Sequence, residues 1–299
     1  MTKILNFIKL MRPKHYLKNA LVFVPIVYSF LLTSSVYRLS ALVAFIALCL
    51  VASGVYAVND IVDCEKDRSH PKNKTRPIAA GLISKPVAMV FALFLFVTGF
   101  ALMAGFFFTL PQPRGWGFNP LPILYFTAFY VFLNLAYSFQ LKHYPVIDCF
   151  CVAAGFVLRV FIGGAAIGLY ISEWMFLTIA AGSLFMAFGK RRGELLQVGG
   201  TDAARKVLNG YNLEFLNGII FACAAVSMIF YALWAMTSVP LMVYTVPLLI
   251  FIVCKYLLNI HGENSYGDPV TVIFGDKLLI GAIAVFGLLS VVFLYGSRL

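Results

Sequence analysis

The sequence predicts an all-α membrane protein that crosses the bilayer several times. Of its 299 residues, 62% are hydrophobic and only 12% are charged, whereas about 25% of residues are charged in a typical soluble domain. The mean hydropathy is +0.91. Apolar runs near twenty residues long indicate membrane-spanning helices. These runs lack the two-residue alternation of a membrane β-barrel, so helices are the structure expected in lipid.

The apolar runs predict nine transmembrane helices within a single domain that covers residues 1–299. In chain order, the runs lie at 19–37, 40–60, 86–110, 118–138, 145–170, 173–189, 214–237, 239–260 and 278–297. Residues 1–16 precede them and contain a short, basic, amphipathic stretch from Lys3 to Met11. We expect this N-terminal segment to lie in the membrane interface. An unstructured basic tail is the alternative.

The distribution of positive charge predicts the orientation in the membrane. Most of the 23 Lys and Arg residues fall in the N-terminal segment and in alternate loops, whereas Arg38, Arg114 and Arg298 fall on the opposite side. The positive-inside rule therefore predicts a cytoplasmic N-terminus in the inner (cytoplasmic) membrane. The net charge of +11 is concentrated on one membrane face, so we do not expect a nucleic-acid partner. The six cysteines form no C-x-x-C pair and are interpreted as reduced, small hydrophobic residues.

The most informative motif is an acidic face at the end of the second apolar run. In a helix, Asn59, Asp63 and Asp67 repeat every four residues, and Asp60 joins them at a three-residue spacing. Carboxylates gathered on one face repel each other unless a cation lies between them. Because oxygen ligands suit Mg²⁺, which is often shared with substrate phosphates, the motif predicts a Mg²⁺-diphosphate site.

A basic loop follows the acidic face directly. Its charged residues are Lys66, Arg68, Lys72, Lys74 and Arg76. Carboxylates that hold a metal, followed by bases that neutralise phosphate oxygens, are the groups that a metal-bridged phosphate substrate requires. Pro71 and Pro77 are expected to break the helix and place these bases on a loop. The alternative is an ordinary solvated loop.

Further candidates for substrate binding lie at other predicted cytoplasmic helix ends and within one span. They are Lys18, Tyr137, Lys142, Asp148, Arg159, Lys190, Arg191, Arg192 and Glu194. Asp148 and Arg159 are eleven residues apart and would share a helix face, either as a structural network or as the wall of a polar cavity. The bases at 190–192 could clamp a phosphate or simply fix the topology, and Lys18 could be an interfacial anchor.

The 59–67 stretch NDIVDCEKD resembles the first aspartate-rich motif of the UbiA-type intramembrane prenyltransferase superfamily. The resemblance implies nine transmembrane helices around a Mg²⁺-diphosphate cavity that opens to the cytoplasm, with Asn59, Asp60, Asp63 and Asp67 as metal and catalytic residues. Typical aromatic prenyltransferases of the superfamily carry a second aspartate-rich motif after the sixth helix. Here the corresponding stretch is GKRRGEL, with Glu194 as its acid.

Several stretches together resemble the decaprenyl-phosphate phosphoribosyltransferase branch of that superfamily. They are RPKHYLKN at 12–19, the 59–81 segment, YSFQLKH at 137–143, LRVFIGG at 158–164 and GSLFMAFGKRRGEL at 182–195. The resemblance implies transfer of 5-phosphoribose from phosphoribosyl diphosphate to a polyprenyl phosphate, with release of diphosphate. A donor that carries an additional 5-phosphate fits a site with more bases and fewer acids.

Two other functions remain open from the sequence. The first is an aromatic prenyltransferase of quinone or haem synthesis, against which the missing second acidic motif counts. The second is a transporter or channel with an acidic vestibule, which predicts charged or broken helices at mid-membrane. Arg159 is the one such charge, and the sequence contains no evident inverted repeat.

Overall fold

The protein is described here by a computed structural model, which covers residues 2–69, 73–109, 119–198, 206–262 and 269–296. The α-helices of these residues are, in chain order, α1 (Thr2–Met11), α2 (Val24–Tyr28), α3 (Ser35–Val62), α4 (Cys64–Ser69), α5 (Lys85–Thr109), α6 (Leu121–Phe139), α7 (Ile147–Ile167), α8 (Glu173–Val198), α9 (Leu213–Ser238), α10 (Val246–His261), α11 (Pro269–Phe274) and α12 (Lys277–Gly296). Among the residues named from the sequence, Pro71, Lys72, Arg114 and Arg298 lie outside the described residues.

The prediction of an all-α membrane fold is confirmed. Within the described residues, seven helices are long and apolar enough to cross a membrane, judged by length and composition: α3, α5, α6, α7, α9, α12 and the combined segment Pro240–His261 that ends with α10. The count of nine spans stays a prediction. Two predicted runs, 19–37 and 173–189, are not among these seven. The run 173–189 lies in α8, and the mean hydropathy of this helix is lowered by the charged residues Glu173 and Lys190 to Arg192.

The first predicted run, 19–37, does not form one continuous α-helix. It is divided among a 3₁₀ segment at Pro13–Phe23, the short α2 and a second 3₁₀ turn at Leu31–Thr33. Phe30 adopts a left-handed backbone conformation, with φ of 61°, and so interrupts the helix between these pieces. Hydrophobicity alone indicates a buried run without fixing its hydrogen-bond pattern, so the apolar pattern does not reveal this break.

One compact unit of the chain comprises residues 1–142 and 158–170. Its centre is α3, which packs closely against α5. A Cβ atom added at Gly54 would lie 2.8 Å from the Phe96 ring, and one at Gly99 would lie 3.0 Å from the Ala47 carbonyl oxygen. Small residues therefore allow these two helices to approach each other, as in other membrane helix pairs. The N-terminal α1 buries Leu10 and leaves Ile4, Leu5 and Ile8 exposed.

The second compact unit comprises residues 143–157 and 171–299. Its α8 and α9 pack along their length, and its core includes Phe188, Leu216, Ile220 and Ile260. The helix α7 begins in this unit and ends in the first one, so its residues are described with the unit to which each belongs. The single domain over residues 1–299 stays a prediction.

Candidate functional site

The acidic face lies where α3 ends and α4 begins. Asp60 is in the last turn of α3, Asp63 is the residue between the helices, and Asp67 is in α4. The backbone bonds from Asp63 N to Asn59 O, 2.9 Å, and from Asp67 N to Asp63 O, 2.8 Å, continue the helical pattern through this junction. Asn59, Asp63 and Asp67 therefore keep the four-residue spacing predicted from the sequence.

Asp60 and Asp67 share one arginine. Arg76 Nη1 lies 2.6 Å from Asp67 Oδ2 and 3.3 Å from Asp60 Oδ1. Arg12 also donates to Asp60, whose side chain is 2% exposed. Asn73 Nδ2 donates to Asp67 Oδ1 at 2.9 Å. The two carboxylates thus face a common positive charge, which compensates the cost of holding them close together and away from water.

Asp63 has a partner from a distant part of the chain. Lys142 Nζ lies 2.5 Å from Asp63 Oδ1, across 79 residues of sequence. Both side chains are about four-fifths buried, with exposed fractions of 17% for Lys142 and 22% for Asp63. The structure therefore brings together Lys142 and the acidic face, two features that the sequence could associate only by resemblance.

Arg12 is a site residue that the sequence argument did not single out. It follows α1 with φ of 54°, a left-handed conformation that is uncommon for a residue with a side chain. Its guanidinium bonds to Asp60 and lies 5.3 Å from the centroid of the Tyr56 ring. These contacts hold the strained residue in place. The sequence does show an arginine shortly before the first apolar run, but a positive charge that sets the membrane topology accounts for it equally well.

The other described bases of the 66–76 segment lie at the surface, and Lys66 and Arg68 are in the helix α4 and not on the predicted loop. Arg68 pairs with Glu65 at 3.0 Å, and Lys85 pairs with the same carboxylate at 2.9 Å. These two contacts, with the Lys85 hydrogen bond the larger influence, hold the pKa of Glu65 below its usual range. Lys66 and Lys74 are also exposed. Among the described bases of this segment, Arg76 is therefore the one that contacts the aspartates.

The chemistry of the acidic face fits a divalent cation. Its donors are carboxylate and amide oxygens, the ligands that Mg²⁺ prefers. Among the described residues, no three His, Cys, Asp or Glu side chains are grouped closely enough to hold a metal ion as they stand. Instead the Arg76 guanidinium lies between two of the carboxylates, as a positive stand-in for a bridging cation.

A polar stripe continues from the acidic face along α3. Cys49, Ser53, Tyr56 and Asp60 follow at spacings of four, three and four residues, and therefore share one helix face. The Tyr16 hydroxyl lies 2.9 Å from Ser53 Oγ. Burial, with the Ser53 hydrogen bond opposing it, raises the pKa of Tyr16. The spacing was present in the sequence, but it was hidden among apolar residues.

Arg159 lies at the inner end of this stripe. Its Nε donates to Asn19 Oδ1 at 2.9 Å, its Nη2 donates to Tyr130 Oη at 3.0 Å, and Asn19 Nδ2 lies 3.3 Å from Cys49 Sγ. Lys18 and Tyr137, two further candidates, are half-buried in the same unit and each has a polar or aromatic contact. Arg159 is thus held among polar side chains, as expected of a charge within a span.

The second unit contains a separate buried network around Asp148, whose side chain is fully buried. Arg191 Nε donates to Asp148 Oδ2 at 2.5 Å, and the Tyr211 hydroxyl donates to Asp148 Oδ1 at 2.6 Å. Arg191 also pairs with Glu194. The Tyr211 hydroxyl accepts from Val146 N at 2.6 Å. Burial, followed by the hydrogen bond to Asp148, raises the pKa of Tyr211.

Asp148 contacts Arg191 and Tyr211, whereas Arg159 contacts Asn19 and Tyr130. Glu194 pairs with Arg191, three residues before it. Tyr211 was not singled out because a lone tyrosine after a polar loop gives no periodic signal. The observed contacts support the structural alternative for Asp148.

The bases at 190–192 also have different environments. Arg192 Nε donates to Asn217 Oδ1 and its Nη1 donates to the Ile260 carbonyl oxygen, both at 2.7 Å. It thus caps the C-terminal end of α10, where carbonyl groups lack helical partners. Lys190 is half-buried and also makes a contact. Arg191 and Arg192 therefore contact different protein groups, and the phosphate clamp at 190–192 stays a prediction.

Two proteins that share one name are similar in sequence to this chain. A protein from Corynebacterium glutamicum named decaprenyl-phosphate phosphoribosyltransferase is 35% identical over 235 residues, which cover 77% of this chain and 67% of that protein. One of the same name from Mycolicibacterium smegmatis is 32% identical over 301 residues, with 92% of this chain and 87% of that protein covered. The expectation that the chain is an enzyme is confirmed.

The fold is similar to that of a solved UbiA homolog from Archaeoglobus fulgidus bound to GPP and Mg²⁺. The TM-score is 0.71 at 16% sequence identity, and the match covers 97% of this chain and 98% of the homolog. Residues 21–274 match the sequence profile of the UbiA prenyltransferase family. With its apolar helices, its all-α fold and these relatives, the chain belongs to the UbiA prenyltransferase family of multi-pass membrane transferases.

Proposed function

We propose that this enzyme transfers a 5-phosphoribosyl group from phosphoribosyl diphosphate to a polyprenyl phosphate, releases diphosphate and requires Mg²⁺. The observation that carries the proposal is the pairing of the acidic face with Arg12, Arg76 and Lys142. The site thus contains both oxygen ligands for a metal and bases for phosphate oxygens. The relatives named decaprenyl-phosphate phosphoribosyltransferase support the same reaction.

The polar stripe of α3 favours a ribosyl donor over a prenyl donor. Tyr16, Ser53 and Tyr56 extend the line of polar side chains from Asp60 towards Arg159, whereas an isoprenoid chain requires apolar walls. A phosphorylated sugar offers several hydroxyl and phosphate oxygens to such side chains. We therefore place the ribose near this stripe, and the isoprenoid of the acceptor at apolar helix surfaces open to lipid.

In the proposed reaction, the bond between C1 of the ribose and the diphosphate oxygen breaks, and its electron pair leaves with the diphosphate. An anionic oxygen of the polyprenyl phosphate forms the new bond to C1, so no proton has to be removed from it. Bound Mg²⁺ would stabilise the charge that develops on the leaving diphosphate. Asp60, Asp63 and Asp67, with Asn59, would hold the metal.

The bases of the site would bind phosphate groups. In the first unit the candidates are Arg12, Lys18, Lys66, Arg68, Arg76, Tyr137, Lys142 and Arg159. In the second unit Lys190 is our candidate. Four other residues would stabilise the fold, because their described contacts are to other protein groups: Asp148, Arg191, Arg192 and Glu194. We also propose nine spans, a cavity open to the cytoplasm and an inner-membrane location, which the one-sided positive charge supports.

The test uses membranes that contain the enzyme, Mg²⁺, a polyprenyl phosphate and phosphoribosyl diphosphate labelled in the ribose. We expect label to enter the lipid fraction, and to enter it only when both the acceptor and Mg²⁺ are present. A parallel reaction offers a prenyl diphosphate and an aromatic acid. Prenylation of the acid without transfer of ribose label would overturn the proposal in favour of an aromatic prenyltransferase.

A further inference from the structure

The acidic face and its basic partners balance each other group by group. Within the described residues, Asp60 contacts Arg12 and Arg76, Asp67 contacts Arg76, and Asp63 contacts Lys142. Each aspartate that could bind a metal is thus already neutralised by a base. Each of these bases is equally a group that could bind a phosphate. The same side chains therefore have two alternative sets of partners.

We propose that Arg12, Arg76 and Lys142 form a latch that makes this chain bind the metal and the diphosphate together, and bind either one poorly alone. This base latch rests on the proposed function and goes beyond it, because it assigns the three bases a role before substrate arrives. A metal that enters alone must displace bases from the aspartates and leave them without an anionic partner. A diphosphate that enters alone must draw the bases away and leave carboxylates unpaired.

When both ligands enter, every group regains a partner of opposite charge. The aspartates turn to the metal, the bases turn to the diphosphate oxygens, and the metal joins the two sets. The exchange of partners is favourable only when every aspartate finds the metal and every base finds the diphosphate, since an unpaired charge in a partly buried site is costly. The latch thus discourages nonproductive binding of a free metal ion or of free phosphate compounds.

Arg76 is the central element of the latch. Its Nη1 contacts carboxylate oxygens of both Asp60 and Asp67, so its departure frees two metal ligands in one step. Its side chain is 26% exposed, compared with 2% for Asp60, so it can move outwards while the carboxylate remains in place. Arg12 also pairs with Asp60. It lies far earlier in the sequence, at the junction between α1 and the following 3₁₀ segment.

The latch predicts opposite effects of one substitution on two ligands. In Arg76→Gln, the two carboxylates lose the charge between them, so a divalent cation should bind them more tightly when it is added alone. The diphosphate loses a basic partner, so it should bind more weakly. An ordinary phosphate-binding arginine predicts only the second effect, and an arginine that merely supports the site predicts that both ligands bind more weakly.

The experiment uses the full chain purified in lipid nanodiscs. Mn²⁺ replaces Mg²⁺ as a spectroscopic probe, and its free concentration is measured by electron paramagnetic resonance without diphosphate. Radiolabelled inorganic diphosphate is measured by equilibrium dialysis at saturating Mg²⁺. We expect Arg76→Gln to tighten Mn²⁺ binding by at least about tenfold and to weaken diphosphate binding by a similar factor, a range typical of coupling between ligands. Arg12→Ala should shift both in the same directions by less.

The matched control is Lys85→Ala. Lys85 pairs with the exposed Glu65 in the same part of the chain and does not contact the three aspartates in the described structure. It should leave both affinities unchanged. Thermal unfolding of each variant separates loss of folding from loss of binding. Mn²⁺ binding that is unchanged or weaker in folded Arg76→Gln would overturn the latch.

The outcome for the latch is distinct from the outcome for the proposed function. If the variants behave as expected but ribose label never enters lipid, the latch stands and the proposed donor is wrong. If label is transferred but Arg76→Gln leaves Mn²⁺ binding unchanged or weaker, the transfer reaction stands and the latch is wrong. The metal-alone measurement is the decisive one, because any metal-bridged site predicts that Mg²⁺ promotes diphosphate binding.

Discussion

Replacement of Asp148 by alanine should destabilise the enzyme more than any substitution of an exposed acid. Asp148 is fully buried and accepts from Arg191 Nε at 2.5 Å and from the Tyr211 hydroxyl at 2.6 Å. Arg191 is itself only 4% exposed. The substitution therefore leaves a buried guanidinium that has lost a carboxylate partner and a buried hydroxyl that has lost its acceptor.

The magnitude follows from these contacts. Removing one member of a buried ion pair costs about 3–5 kcal/mol. Tyr211→Phe keeps the ion pair and removes only the hydroxyl, which should cost about 1–3 kcal/mol. That hydroxyl also accepts from Val146 N, and Val146 has φ of 68°, a strained conformation for a β-branched residue. Tyr211→Phe should therefore also loosen the segment before α7.

The assay is reversible unfolding in mixed micelles, monitored by tryptophan fluorescence. Glu214→Gln is the control, since Glu214 is exposed in the first turn of α9 and its substitution should change the free energy of unfolding by less than about 0.5 kcal/mol. If Asp148→Ala unfolds like the wild type and instead raises the KM for phosphoribosyl diphosphate, the structural role argued for this residue is wrong and the substrate-binding role is right.

Three further predictions concern the acidic face, the close crossing in the first unit and the end of α10. Asp63→Ala should abolish Mg²⁺-dependent turnover while the protein still inserts into membranes; unchanged turnover would refute its assignment as a metal ligand. Gly163→Ala should destabilise the first unit, because the added Cβ would clash with the Val22 carbonyl oxygen; an unchanged melting temperature would refute the close packing of α7 against the Pro13–Phe23 segment. Hydrogen bonds from Lys255, then from the backbone of Leu279 and from Asn259, hold the pKa of Asp276 below its ordinary value of 3.8. The lowered pKa means that this contribution to stability is full above pH 3.8 and is lost as the pH falls through the folded-state pKa. Asp276→Asn should therefore lower stability at neutral pH and make it less sensitive to acid, as measured by unfolding from neutral pH to well below pH 3.8.

The sequence predicted the fold class and the acidic face because both depend on regular spacing. Apolar runs fix the helical membrane character, and the four-residue repeat of Asn59, Asp63 and Asp67 persists through the junction of α3 and α4. The partners of these residues could not be predicted in the same way. Lys142 lies 79 residues from Asp63, and no local pattern specifies a contact over that separation.

Two other features escaped prediction for related reasons. Within the 3₁₀ segment Pro13–Phe23, Val22 lies against Gly163 of α7, and the local apolar pattern does not specify such a tertiary contact. Arg191 looked like one of three equivalent bases, yet a buried aspartate and a nearby glutamate determine its role. Charge clusters in a sequence indicate where a polar site lies, whereas the fold decides which charges remain available to a ligand.

The central claim is that the enzyme joins phosphoribose to a lipid phosphate. The most direct measurement incubates purified protein in nanodiscs with phosphoribosyl diphosphate, a polyprenyl phosphate and Mg²⁺, and follows both products by mass spectrometry. The account predicts a polyprenyl-phosphoryl 5-phosphoribose and one diphosphate released for each molecule formed, with neither product when Mg²⁺ is chelated. Release of diphosphate without the ribosylated lipid, or no reaction of this donor by a protein that is folded, would contradict it.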